Sequence, residues 1–448
     1  VVLCASAQES RGTLAGLITD PSGARVTGAA VVATNVSTGV TYRGQTNASG
    51  AYTIPFLPPG EYSLKVTAKG FKSLKRSPIL IQVQSKVDVD ASLELGSVSD
   101  VVNVRGDAPI LDTATASTGQ VIENRRIVEL PLNGRNPLAL AQISPGVVSV
   151  EGPTFLRAFD INGASSISIG GSVSATGGAV TRSNDFTLDG APNTTRGNTV
   201  AYVPPADAVE EFKVETATYD ASSGHTSGGT INISTRSGTN DLHGSLYYFH
   251  RDAGTTANTW FNNRASRPKT VSPFHQWGAA GGGPVLLPRL YNGRNRTFWF
   301  TAYEGIKSST PAPFLGTVPT ERQRQGDFSE LLTAGIRIYD PYSTRPNPSS
   351  PGRFMRDPLP NNVVPANRID PVAKSLLQFF PLPNLATTDP QGRNNYFNPD
   401  SPATDRFASW ISRFDHSLND RHRISSRFSW NHRTETTGDT FSNISTGS

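Results

Sequence analysis

Hydrophobic and polar residues alternate along most of the first 95 positions, in short segments separated by turn signals. Segments such as GEYSLKVTA and KVDVDASLEL place every second side chain on one apolar face, as half-buried β-strands do. Proline and glycine mark the turns, for example DPSG at Asp20–Gly23 and PPG at Pro58–Gly60. The spacing predicts a seven-stranded β-sandwich over residues 10–96.

One stretch of this segment is specific enough to indicate a known module. TNASGAYTIPFLPPGEYSLKVTAKGF, residues 46–71, resembles the carboxypeptidase regulatory-like domain, a transthyretin-type sandwich. The name describes a fold and implies no peptidase, because the chain has no zinc-peptidase ligand set. We therefore interpret the sandwich as an accessory domain.

The middle of the chain has a different pattern, with small polar residues where a core strand would carry large apolar ones. VIENRRIVEL predicts a helix before Pro131, and a second helical stretch follows NGRN at Asn133–Asn136. Downstream lie FTLDGAPN, the acidic strand VEEFKV and the glycine-spaced strand SGGTINISTR. No glycine-rich phosphate-binding motif occurs between a strand and a helix.

The order of these motifs is similar to the plug domain of TonB-dependent outer-membrane receptors, and we assign residues 97–240 to such a plug. A plug fills a barrel with a polar interior, so its strands need no apolar face and its glycines let the backbone lie close to the wall. The residues that match the plug motifs are Asp189, Gly190, Gly228, Gly229, Asn232 and Arg236.

Beyond Asn240 the chain contains aromatic segments with the alternation of membrane barrel strands. In RHRISSRFSWNH, Ile424, Phe428 and Trp430 share one face, while arginine and serine residues share the other. These segments resemble the Oar-like subfamily of TonB-dependent receptors. The pattern predicts a mainly β protein in the outer membrane: a sandwich, a mixed α+β plug, and the first strands of an incomplete transmembrane β-barrel over residues 241–448.

A long proline- and asparagine-rich insertion interrupts these strands at residues 306–405, with one short helical piece near Asp370–Phe380. An insertion of this length without regular structure is expected on the extracellular side, outside the scaffold. Residues 241–448 are also too few for the roughly 22 strands of about 9 to 11 residues that such a barrel uses. We therefore expect the sequence to be a fragment.

The N-terminus and the composition change this picture little. Residues 1–9 are interpreted as the remnant of a signal peptide, with cleavage expected before Gln8, and the single cysteine, Cys4, lies within them. No apolar run of about 18 residues predicts a membrane helix. The net charge of +5 comes from scattered Lys and Arg, so we expect no nucleic-acid partner.

The sequence gives no candidate for catalysis, a cofactor or a metal. Seven histidines are dispersed without H-E-x-x-H, and no G-x-S-x-G occurs. The protein is therefore expected not to be an enzyme. Two hypotheses stay open: a transporter, or an adhesive or structural surface protein without transport.

The resemblance implies that an extracellular ligand binds the loops and the plug, and that the periplasmic protein TonB pulls on a short segment before the plug. Carbohydrate, peptide and siderophore ligands fit equally, and the direction of transport stays open. Outer-membrane lipid is the other expected partner. An ordinary first strand of the plug is the alternative for the candidate TonB contact, which consists of Asp100, Val101, Val102, Asn103 and Val104.

Overall fold

The computed structural model describes residues 10–105, 118–149, 167–171, 173–176, 179–182, 184–195, 199–217, 226, 228–264, 266, 269, 272–311, 313–398, 402–420, 422–438 and 440–441. The predicted signal remnant, residues 1–9, lies outside them. The chain forms two compact units, one made of residues 1–248, 276–305 and 407–433 and the other of residues 249–275, 306–406 and 434–448. None of the helices among the described residues is long and apolar enough to cross a membrane.

The predicted sandwich is present in the first unit. Its strands are β1 (Gly12–Thr19), β2 (Ala30–Asn35), β3 (Thr41–Gln45), β4 (Ala51–Leu57), β5 (Gly60–Thr67), β6 (Ser73–Ile81), β7 (Lys86–Asp88), β8 (Ala91–Ser92) and β9 (Val101–Arg105). One sheet has the order β4-β1-β7 with β8 beside β1, and the other has the order β3-β2-β5-β6-β9. Alternating side chains such as Leu64 and Val66 fill the core between them.

The sandwich differs from the prediction at its end. Strand β9 pairs in parallel with β6, with Ser73 opposite Val101 and Ser77 opposite Arg105. The sheet therefore extends past residue 96, where the domain was predicted to end. The candidate TonB segment is an edge strand of the sandwich rather than the first strand of the plug.

The plug forms a second core in the same unit. Its sheet has the order β10-β17-β18-β15-β16 and pairs β15 with β18 in parallel. Both predicted helical stretches occur, as α1 (Asn124–Glu129) and a 3₁₀ helix at Pro137–Ile143, and another 3₁₀ turn spans Ala206–Ala208. The strands are β10 (Thr118–Glu123), β11 (Val147–Ser149), β12 (Ile167–Ile169), β13 (Val173–Thr176), β14 (Ala179–Arg182), β15 (Asp185–Leu188), β16 (Ala191–Pro192), β17 (Val209–Ala217) and β18 (Thr230–Thr235).

A further sheet, here called the wall sheet, follows the plug. Its strand order is β19-β20-β23-β28-β29. The five strands of this sheet are therefore arranged side by side in the order in which they occur along the chain. The predicted outward residues Ile424, Phe428 and Trp430 are all exposed. The strands of this sheet and the short hairpin between two of them are β19 (His243–Arg251), β20 (Phe274–Pro284), β21 (Leu286–Leu287), β22 (Tyr291–Asn292), β23 (Thr297–Pro311), β28 (Pro402–Ser417) and β29 (Arg423–Thr436).

The long insertion was predicted to have no regular structure except one short helical piece near Asp370–Phe380. That piece is present, and further short elements occur beside it. Two two-stranded ladders are formed by β24 (Phe314–Gly316) with β27 (Tyr396–Asn398) and by β25 (Arg345–Pro346) with β26 (Phe354–Met355). Side-chain bonds replace regular structure here, such as the Arg345–Asp357 ion pair at 2.7 Å. The helices of the insertion are α3 (Glu321–Arg324) and α4 (Pro371–Leu376), with 3₁₀ turns at Ser329–Ala334, Pro341–Ser343, Pro360–Asn362, Ala366–Arg368 and Leu377–Phe379. A further helix, α2 (Trp260–Arg264), lies between β19 and β20.

Candidate functional site

The turn after β15 presents an acidic side chain at the edge of the plug. Asp189 and Gly190 both have positive φ, 50° and 79°, which reverses the chain between β15 and β16. The Asp189 carboxylate accepts hydrogen bonds from the Thr235 amide at 2.8 Å and from the Thr235 hydroxyl at 2.7 Å. These bonds fix the carboxylate at the end of β18.

Two arginines of the wall sheet meet this carboxylate. The guanidinium of Arg427 lies 2.5 Å from one Asp189 oxygen, and that of Arg413 lies 3.4 Å from the other. Arg427 also donates to the Leu188 carbonyl at 2.9 Å, and Arg413 donates to the Thr235 carbonyl at 2.7 Å. Charge-assisted bonds of this kind are stronger than neutral ones. This contact, here called the plug lock, ties the plug to β28 and β29.

The environment of Asp189 decides its protonation. Burial by itself would raise the pKa of this carboxyl, but the charges of Arg413 and Arg427, together with the two bonds from Thr235, lower the pKa below its usual range. Asp189 is therefore ionised at neutral pH, as an ion pair with two cations requires.

The NGRN motif makes a second contact between the plug and the wall sheet. Arg135 forms an ion pair with Asp207, and its guanidinium lies 4.2 Å from the centre of the Tyr247 ring. The Tyr247 hydroxyl donates to Glu304 at 2.7 Å, and the Gln276 amide donates to the same carboxylate at 3.0 Å. Strands β19, β20 and β23 are thereby held near the motif.

The remaining predicted plug residues have local roles around β18. Gly229 packs so closely that an added Cβ would lie 2.2 Å from Ile169, so no side chain fits there. The Gly228 amide donates to the Thr226 hydroxyl at 3.2 Å. Arg236 pairs with Glu210 at 3.4 Å and lies over the Phe300 ring of the wall sheet at 5.6 Å. The glycines therefore provide clearance, whereas Arg236 adds to the contact with the wall.

Asn232, also a predicted plug residue, takes part in a contact with the sandwich. Its side-chain amide donates to the Gln84 side chain at 2.6 Å, and its oxygen accepts from the Thr187 hydroxyl at 2.7 Å. Next to it, the amide of the fully buried Val83 donates to the Glu211 carboxylate. Since Val83 and Gln84 belong to the turn between β6 and β7, this turn joins the sandwich to the plug; we call the contact the sandwich–plug joint.

The joint contains a carboxyl group that is nearly buried. Burial raises the pKa of Glu211 to about 8, and the nearby charges of Glu210 and Glu123 raise it too, while the Val83 amide acts in the opposite direction. Glu211 is 6% exposed. Around neutral pH the joint therefore contains a largely protonated glutamate.

The opposite side of the sandwich contacts the turns at one end of the wall sheet, here called the rim. The Arg423 guanidinium lies 3.9 Å from the Tyr42 ring centre and donates to the Thr41 carbonyl at 2.7 Å. Arg43 pairs with Asp420 at 2.9 Å, although both side chains are more than half exposed. The rim contact therefore involves β3, which is one edge strand of its sheet. Strand β9 is the edge strand on the opposite side of the same sheet.

Strand β9 has one side on β6 and one side open to a further strand. The Asp100 carbonyl accepts from the Ser73 amide at 2.8 Å. Because backbone groups alternate in direction along a strand, the amide of Val102 faces β6, whereas the amides of Val101 and Asn103 face outward. No other strand among the described residues pairs with this outer edge. An unpaired edge of this kind can accept a partner strand.

The structure brings some predicted residues together and separates others. Asn232 lies at the sandwich–plug joint, while Asp189 and Arg236 contact the wall sheet. The candidate TonB segment belongs to the sandwich. Sequence reasoning missed Glu211 and Arg413, although it placed Arg427 on the polar face of its strand. An acidic residue inside the VEEFKV strand was the available signal for Glu211, since a charge on a buried strand needs a partner.

Comparisons with known proteins agree with this architecture. Residues 13–94 match the carboxypeptidase regulatory-like domain, and residues 234–448 match an outer membrane beta barrel domain. The TonB-dependent transporter Oar of Myxococcus xanthus is 27% identical over 277 residues, which is 59% of this chain and 24% of that protein. The chain thus spans about a quarter of the length of this curated relative.

The matches to solved structures cover most of this chain but only part of the other chain. The outer membrane transporter YddB of Escherichia coli is 11% identical, covers 72% of this chain and 34% of its own, and has a TM-score of 0.41. The ferric enterobactin receptor of Pseudomonas aeruginosa is 13% identical, and the match covers 75% of this chain and 36% of the receptor, with a TM-score of 0.35. The family matches confirm the carboxypeptidase regulatory-like domain and the outer-membrane barrel domain, and the protein is located in the outer membrane.

Proposed function

Because this chain is an outer-membrane homologue of the TonB-dependent transporter Oar, we propose that it binds an extracellular ligand and moves it across the outer membrane. The plug closes the path when it is held to the wall sheet, and a TonB partner displaces it. The ligand is a carbohydrate, peptide or siderophore bound by the long insertion and the plug. No step of this cycle requires catalysis by the chain.

The proposal rests on two observations together: ion pairs hold the plug to the wall sheet, and the outer edge of strand β9 is open to a partner strand. Partly buried ion pairs at Asp189 hold the plug in place, so an external source of energy is needed to move it. Strand β9 precedes the plug in the chain, and no strand among the described residues pairs with its outward amides. We propose that the TonB partner adds a strand to this outer edge at Asp100–Val104.

Proline substitutions on β9 test the contact. Asn103→Pro removes an outward amide, and the strand conformation suits the residue before it, Val102. We expect binding of the periplasmic domain of TonB to full-length protein in detergent to weaken about fivefold or more, as the loss of a hydrogen bond implies. Asn103→Ala, which keeps the amide, is the matched control and should bind like the unsubstituted protein.

The comparison with Val102→Pro sharpens this test, because the Val102 amide faces β6. That substitution should loosen β9 from the sandwich, which a gain in proteolysis near residue 100 would reveal. Equal binding by Asn103→Pro and Asn103→Ala would rule out the outer edge as the contact. Failure of the unsubstituted protein to bind the TonB domain would favour an adhesive or structural surface protein.

A further inference from the structure

We infer that the sandwich transmits the pull on β9 to the plug through β6 and the turn that follows it. This inference rests on the proposed function, since it assumes that the partner binds β9. A pull along the chain alone would instead reach the plug through residues 106–117, with β9 peeled away from the sandwich. The two routes load different contacts and can be distinguished.

The first step of the route is the pairing of β9 with β6. Their parallel register spans five residue pairs, from Ser73–Val101 to Ser77–Arg105. A strand added to the outer edge would make β9 an inner strand with neighbours on both sides. A pull then passes from the added strand to β9 through one ladder of backbone hydrogen bonds, and from β9 to β6 through the other.

The second step is a stiff connection from β6 to the plug. Strand β6 ends at Ile81, and the turn begins at Gln82. The Ser85 hydroxyl donates to the Gln82 carbonyl at 2.8 Å and accepts from the Gln82 amide at 3.0 Å. The Gln84 amide donates to Ser10 at 3.2 Å, and the Thr13 amide donates to Ser85 at 2.8 Å. These bonds tie the turn to β1, so it moves with the sandwich.

The third step is the sandwich–plug joint, which involves three neighbouring strands of the plug sheet. The Gln82 side-chain amide donates to the Glu123 carboxylate, at the end of β10, at 3.4 Å. The Val83 amide donates to Glu211 on β17, and the Gln84 side chain accepts from Asn232 on β18. Because β10, β17 and β18 are adjacent in that order, a displacement of the turn acts on the sheet as a body. The joint is thus placed to move the plug away from its lock.

The rim contact on the opposite edge of the sandwich would be the first to release. The Arg43–Asp420 ion pair is more than half exposed on both sides, and such pairs contribute little to stability. The joint, by contrast, contains the fully buried Val83 and the nearly buried Glu211 and Asn232. A pull on β9 would therefore break the exposed Arg43–Asp420 pair before the contacts of the joint.

A disulfide staple tests whether β9 stays on β6. Lys75 and Asn103 are opposite in the register and both exposed, so Lys75→Cys with Asn103→Cys places the sulfurs on the outer face. Ala30→Cys with Gln45→Cys, on β2 and β3, is the matched control at the other edge. Full-length protein in outer-membrane vesicles is pulled in a force microscope through the periplasmic domain of TonB.

The expected result is that oxidised and reduced staples give the same traces, because β9 remains paired in both. An early length gain that appears only after reduction would show that β9 peels away and would overturn the inference. Absence of any adhesion to the tip, in staple, control and unsubstituted protein alike, would contradict the proposed TonB contact itself. A failure of the function and a failure of the route therefore give different traces.

A second variant tests the joint directly. Gln84→Ala removes the acceptor of the Asn232 amide without changing β9. We expect TonB adhesion to be unchanged while the fraction of traces that include plug extraction falls about fivefold, as loss of one hydrogen bond implies. Gln45→Ala, at the far end of the sandwich, should leave both unchanged. Unaltered plug extraction in Gln84→Ala would contradict transmission through the joint.

Discussion

Two acidic residues of the plug, the nearly buried Glu211 and the partly buried Asp189, are in opposite electrostatic states. Asp189 contacts two arginines of the wall sheet, which hold its pKa below the usual range in spite of burial. Glu211 accepts a hydrogen bond from a backbone amide and lies near two further glutamates, and burial raises its pKa to about 8. Burial is common to both, so the partners decide the charge.

The difference corresponds to the contacts that the two residues make. Asp189 belongs to the lock between plug and wall, where an ion pair holds across the neutral pH range. Glu211 belongs to the joint between plug and sandwich, where its carboxyl group accepts a bond from the Val83 amide and burial favours the neutral form of that group. The plug is thus held by charge on one side and by neutral hydrogen bonds on the other.

Removal of the charge at Asp189 should give the largest effect. Asp189→Asn leaves Arg427 and Arg413 without this carboxylate. Because the three side chains are only partly buried, we expect a cost of about 1.5 to 3 kcal/mol, as for hydrogen bonds to charged groups. We expect a lower thermal midpoint of the full-length protein, measured by loss of heat-resistant migration on a gel. Asp389→Asn, which removes an ion pair with the largely exposed Arg393, is the matched control and should change little.

Glu211 should make stability depend on pH in a defined direction. Its folded pKa of about 8 lies above the ordinary value of 4.5, so the contribution is complete below about pH 4.5 and is lost as the pH rises toward 8. The maximum slope is about 1.4 kcal/mol per pH unit. Glu211→Gln should make the thermal midpoint less dependent on pH between pH 5 and 8. Parallel curves for the two proteins would show that Glu211 is ionised throughout.

The rim contact should give the smallest effect, because it lies closer to solvent. Arg423→Ala removes the stacking on Tyr42 and should cost about 1 kcal/mol, whereas Arg423→Lys keeps a cation and should cost less. Crosslinking between cysteines at Ser37 and Asn240, whose backbones are hydrogen-bonded at 3.0 Å, reports the contact. Unchanged crosslinking in Arg423→Ala would show that Arg423 does not hold the sandwich.

The sequence predicted those features that depend on local pattern. Alternation in GEYSLKVTA and turn chemistry at Pro58–Gly60 correspond to β5 and the turn before it. The outward face of RHRISSRFSWNH was also predicted, because strand alternation fixes which side chains share a face. Asp189 and Asn232 were selected by resemblance, and both make contacts that hold the plug.

Long-range pairing could not be predicted. DVVNV has the composition of a strand, but nothing in it specifies β6 as its neighbour or a parallel direction. The partners of Asp189 lie more than 200 positions further along the chain, and a polar strand face offers several arginines of equal suitability. The order in the insertion rests on side-chain bonds such as Arg368–Asp340 at 2.5 Å, which leave no periodic signal.

Amide hydrogen exchange of β9 at single-residue resolution tests the central claim most directly. In full-length protein alone, the amides of Val102 and Val104 should exchange slowly and those of Val101 and Asn103 quickly. Addition of the periplasmic domain of TonB should slow Val101 and Asn103 while Val102 and Val104 stay protected. Faster exchange of Val102 and Val104 on addition, or no change at Val101 and Asn103, would contradict a partner strand bound to a sandwich that keeps β9.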